Sequence, residues 1–64
     1  MKAEELRDMS VEELKVKEND LRESLFRLRF RLGLGETDPV KKYRQEKKDL
    51  ARVLTVMRQR SSQQ

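Results

Sequence analysis

Residues 33 to 39, Gly-Leu-Gly-Glu-Thr-Asp-Pro, interrupt two stretches of similar length in which apolar residues recur every three or four positions. Glycine adopts the left-handed conformation that ends a helix, and Asp followed by Pro supplies an N-cap and then the residue best suited to a first helical position. Gly33 and Gly35 therefore mark the end of one helix, and Asp38-Pro39 the start of the next. With about 22 residues on either side, each rod is roughly 33 Å long. Equal rods joined by a short loop fold back as an antiparallel hairpin.

The residues on both sides fit that hairpin. Ser10-Val11-Glu12-Glu13 is an S-x-x-E capping box, and Met9 before it can staple onto Leu14. From Leu14 an apolar seam continues through Leu21, Leu25, Leu28 and Leu32, broken by Glu18, which is expected at the helix flank with its carboxylate in water. The second helix offers Val40, Tyr43, Leu50, Val53, Leu54 and Met57 to this seam. Glu46 intrudes among them and needs the helix edge, or a cation such as Lys42 or Lys47. The register predicted by the turn sets Leu32 near Val40, Leu28 near Tyr43 and Arg44, Leu21 near Leu50 and Ala51, and Leu14 near Met57. The fold class is thus all-α: a coiled-coil-like antiparallel two-helix hairpin with a short leading helix. Within one domain, 1–64, the leading helix covers 1–9, the long helices 10–32 and 39–60, the turn 33–38, and a disordered polar tail 61–64.

A narrow seam leaves one stretch unexplained. Leu25 to Arg31, LFRLRFR, places Phe26 and Phe30 about 140° round the helix from the leucines, among Arg22, Arg27 and Arg29. The rings could widen the core beneath Leu6, Met9 or Leu34. They could instead enter a partner protein or stack on unpaired bases, or meet a second copy of the chain. Distance from the stripe favours the core for Phe26 and a protein partner for Phe30.

A chain of 64 residues buries only about 60% of its unfolded surface, so small domains usually need a disulfide, a metal or a partner. Cysteine and histidine are both absent, which excludes disulfides, disfavours a zinc site and leaves no activated nucleophile. No cofactor, metal or small-molecule substrate is expected, and catalysis is disfavoured because a helix pair offers no cleft. No apolar run suits a bilayer, and the opening MKAEELRDM resembles neither a signal nor a transit peptide, so a cytoplasmic location without membrane contact is expected. Residues 1–21 carry a net −3 and residues 22–64 a net +7. Lys41, Arg44, Lys48 and Arg52 follow one another at helical spacing as a basic stripe. Such a stripe binds a polyanion, nucleic acid above all, or else is a solvated face, and charge alone does not choose. Long antiparallel helices argue against a DNA-reading helix-turn-helix. The two function classes in play are an RNA-binding structural protein and an interaction module that dimerises as an antiparallel four-helix bundle.

The opening KAEELRDMSVEEL, the central SLFRLRFRLGLGE and the closing KKDLARVLTVMRQR together resemble the bacterial large-subunit ribosomal protein number twenty-nine family. Each segment is ordinary amphipathic helix, but their order and spacing cover essentially the whole chain. The resemblance implies a helical hairpin in the cytoplasmic ribosome, on large-subunit ribosomal RNA beside the nascent-chain exit, next to ribosomal protein number twenty-three and open to exit-site factors. Its basic pattern falls on Arg29, Lys47, Lys48 and Arg52, which join Lys41 and Arg44 as candidate RNA contacts, with Phe30 as a candidate protein contact. The chain departs from the family pattern at Glu18, Tyr43 and Glu46.

Overall fold

The computed structural model describes residues 2–62, apart from the side chain of Ser62. Three helices follow in order: α1 (Ala3–Arg7), α2 (Val11–Gly33) and α3 (Pro39–Ser62). The two long helices pack against each other as a hairpin measuring 45 × 17 × 15 Å, and α1 packs on α3.

Each helix end has a local cause. Ser10 is extended at φ −72° and ψ 164°, and its hydroxyl oxygen accepts from the Glu13 N–H at 3.2 Å. The hydroxyl also donates to the Glu13 carboxylate at 3.2 Å, closing the box between the two side chains. At the other end of α2 the Gly35 N–H reaches the Leu32 carbonyl at 3.0 Å and the Glu36 N–H reaches that of Arg31 at 3.3 Å. This pair of bonds is a Schellman motif, which requires a left-handed residue at its centre. Gly35 fills that place with φ +91°, whereas Gly33 is still helical. Only one of the two glycines named from the sequence is therefore the terminator. Arg31 reinforces the turn by donating to the Glu36 carboxylate at 3.0 and 3.2 Å. That hydrogen bond, then Coulombic attraction to Glu36 and Asp38, raises the Arg31 pKa above its ordinary value. Pro39 occupies the first helical position of α3 and is buried.

The core lies at the open end of the hairpin. Leu6, Leu14 and Val53 are fully buried, and Leu21 and Val56 join them, with Met9, Leu50 and Met57 packed alongside. Leu28 is buried further along the seam. The five-residue α1 is too short to be stable alone. Its apolar anchor, Leu6, and a hydrogen bond from the Arg60 guanidinium to the Arg7 carbonyl tie it down. Docking of α1 against the last turns of α3 shifts the buried arc there, so that Val56 is core while Leu54, expected there, is only half-buried. Val40 and Tyr43, also expected in the seam, lie nearer the turn than α1 reaches and are half-buried too. Towards the turn no third helix covers the seam, and Leu25 and Leu32 are likewise half-buried.

Two polar intruders are accommodated differently from expectation. Glu46 takes a hydroxyl and not a cation: Ser24 of α2 donates to its carboxylate across the seam, close to the predicted register. Glu18 does sit at the flank, yet its carboxylate is held by Arg22 one turn on, at 2.9 Å, instead of lying open to water. Ser61 and Ser62, expected in a polar tail, are instead the last residues of α3. Gln63 and Gln64 lie outside the described residues.

The two glycines give a paired prediction. A Cβ at Gly33 meets nothing within 4 Å, so Gly33→Ala should stabilise the helix end by about 0.5–1 kcal/mol. A Cβ at Gly35 also has space, but its positive φ makes Gly35→Ala cost about 1–2 kcal/mol. Thermal unfolding followed by circular dichroism should show midpoint shifts of opposite sign.

Candidate nucleic-acid interface

Helix α3 contains two carboxylates, Glu46 and Asp49, and both face inward. Glu46 is half-buried on Ser24, while Asp49 is 9% exposed, accepts from Gln45 at 3.2 Å and lies 3.7 Å from Arg52. The outward surface of α3 therefore carries basic and neutral side chains only. Lys41, Arg44 and Lys48 stand exposed along it within about 60° of arc, as steps of three and four residues require. Arg52 continues the line one turn further, where Lys2 and, from α1, Ala3 and Glu4 border the same depression. Asp49 was not singled out from the sequence, although an acid following two lysines within a helical pattern is a recognisable pairing signal.

Not every candidate joins this face. Lys47 is rotated about 100° from Lys48, to the seam side of Arg44, its Nζ 5.9 Å from the centre of the Tyr43 ring. Arg29 reaches that side from α2, where it lines an open groove with Arg22, Leu25, Phe26, Tyr43 and Leu50. The six candidate RNA contacts are thus divided between an outer stripe (Lys41, Arg44, Lys48, Arg52) and a groove side (Arg29, Lys47).

Phe30 is 64% exposed, as a partner contact requires. Phe26, expected in the core, is 74% exposed. Neither Leu6 nor Met9 reaches it, since both belong to the core at the open end, and Leu34 is itself 66% exposed. Phe26, Phe30 and Leu34, four residues apart, form an exposed apolar strip, and Arg27 and Arg31 flank the two rings.

The Ribosomal L29 protein family matches residues 4–60. The chain belongs to that family. Among its curated relatives, the large ribosomal subunit protein uL29 of Thermodesulfovibrio yellowstonii is 51% identical over 95% of this chain and 85% of its own length. That of Syntrophotalea carbinolica is 47% identical over 97% of this chain and 100% of its own. The uL29 of Acidobacterium capsulatum is 50% identical over 94% of this chain, which spans 66% of that longer relative. No solved structure matches significantly.

The described residues include no group of histidine, cysteine and carboxylate side chains able to hold a metal ion. No described helix is long and apolar enough to cross a membrane. What this family member presents is surface: a charged stripe, an aromatic groove and an apolar strip on a narrow helical rod.

The exposure of the aromatic rings leads to a stability comparison. Phe26→Ala and Phe30→Ala should each change the unfolding free energy by less than about 1 kcal/mol, whereas Leu14→Ala should cost about 2–5 kcal/mol. Equilibrium unfolding in urea distinguishes them. A phenylalanine variant as damaging as Leu14→Ala would show the ring to be core.

Proposed function

We propose that this chain is a structural, non-catalytic component of the large subunit of the cytoplasmic ribosome, and that it binds ribosomal RNA with the outward face of α3. Membership of the Ribosomal L29 protein family supports the first part, together with relatives named as large-subunit proteins. The observation that carries the second is the inward turn of Glu46 and Asp49, which leaves Lys41, Arg44 and Lys48 on a face with no carboxylate. RNA helices present dense phosphate and a major groove too deep for side chains, so a rigid rod with one basic face recognises them by shape and charge. Arginine adds paired hydrogen bonds to phosphate oxygens. Arg52 extends the stripe, and Arg29 and Lys47 serve a second line of phosphates on the groove side.

By family resemblance the rod lies beside the nascent-chain exit, next to ribosomal protein number twenty-three and within reach of exit-site factors. Phe30 is the residue proposed to meet a neighbouring protein. The exposed strip has less to offer a second copy of this chain. Its rings lie among Arg22, Arg27, Arg29 and Arg31, so an antiparallel pairing of two α2 helices centred there would oppose like charges.

Co-sedimentation of the chain with large ribosomal subunits at moderate salt tests the assignment. Lys41→Ala and Lys48→Ala should each weaken association and lower the slope of log affinity against log salt by about one. Lys15→Ala, in the acidic half of the chain, should alter it much less. Equal losses at all three positions would mean that net charge alone is read and would remove the α3 face from the proposal.

A further inference from the structure

The groove between the helices combines features that a phosphate-binding stripe does not need. Leu25 and Leu50 give it an apolar lining, Phe26 and Tyr43 add two aromatic rings, and Arg22 and Arg29 add guanidinium groups. Lys47 brings a further cation to the Tyr43 side. Arg22 is held by Glu18 through two hydrogen bonds of 2.9 and 3.1 Å, so its plane is set before any ligand arrives. Phe26 is largely exposed and can turn onto a ligand without disturbing the core.

Resting on the RNA-binding reading above, we propose that this groove receives an unpaired RNA base, stacked against Tyr43 and Phe26, with Arg29 and Lys47 on the adjoining phosphates. An apolar floor with aromatic walls selects the face of a base, and cations at the rim select the backbone attached to it. The base of a nucleotide within a duplex is already stacked and cannot present that face. Arg22 already has Glu18 as its counter-charge, but a purely apolar protein side chain would fill the floor and offer no anion to Arg29 and Lys47, so charge complementarity favours the nucleotide. The outer stripe thus holds helical RNA by its phosphates, and the groove adds a site for a base displaced from the stack.

Tyr43 is the single tyrosine of a chain without tryptophan, so intrinsic emission reports directly on the groove. The full chain is titrated with a mixed-sequence single-stranded RNA of about 12 nucleotides, within the span of one such site, and with the same sequence as a blunt duplex. Single-stranded RNA should quench Tyr43 emission and the duplex should not. Phe26→Ala, and Tyr43→Leu followed by fluorescence anisotropy of labelled RNA, should each weaken single-strand binding about tenfold, with the helical circular dichroism signal retained. Single-strand binding without quenching, equal quenching by the duplex, or wild-type affinity in both variants overturns the base-binding groove. If Lys41→Ala combined with Lys48→Ala still weakens binding in that event, the RNA-binding reading stands. Failure to bind either RNA, together with failure to co-sediment with large subunits, overturns both.

Discussion

The burial of Leu6 against Leu14, Val53 and Val56 is the interaction on which the molecule depends. Two long helices touching along a seam of single leucines bury too little surface to offset the ordering of both backbones, since each ordered residue costs about 1–2 kcal/mol. Adding α1 converts one end of that seam into a three-helix core. Leu14 and Val53 are fully excluded from water there, whereas the seam residues Leu25 and Leu32, nearer the turn, are not. Stability is therefore concentrated at the open end, and the turn end is held by local devices: the Schellman motif, the Arg31–Glu36 pair and the buried Pro39.

This division also explains what could be read from the sequence. Helix ends rest on interactions within a few residues, so Ser10, Glu13, Gly35 and Pro39 announced themselves by type and spacing. The seam leucines Leu14, Leu21 and Leu28 were equally plain, because one periodicity defines them. Val56 and the half-exposure of Leu54 were not, because they depend on which side of α3 receives α1. No pattern within α3 encodes that choice. Gly33 shows the limit in miniature: two glycines two positions apart are equivalent by propensity, and the hydrogen-bond geometry selects the second.

At the candidate interface the basic stripe was legible as spacing, while its purity was not. Helical angle alone puts Glu46 towards the seam, and only the meeting with Ser24 across the helices shows how its charge is accommodated there. Helical angle likewise put Phe26 and Phe30 off the leucine stripe without telling whether another element would cover them. The answer came from α1, which covers the far end and leaves both rings in water. The division of Arg29 and Lys47 from Lys41, Arg44 and Lys48 follows from the fold-back, which brings residues of different helices onto a shared flank.

The antiparallel return of α3 has a consequence for how the rod approaches a polyanion. It lays the acidic residues 2–21, net −3, beside residues 51–62, whose three arginines cancel them. Residues 22–50, grouped about the turn, then carry the entire net +4 of the chain. A body 45 Å long with one neutral end and one positive end has a large electric moment along its axis and feels a torque in the field of a charged surface. It is aligned turn-first before any contact is made. At physiological ionic strength that alignment acts only over about 8 Å, so it governs the last step of encounter and not the long-range search.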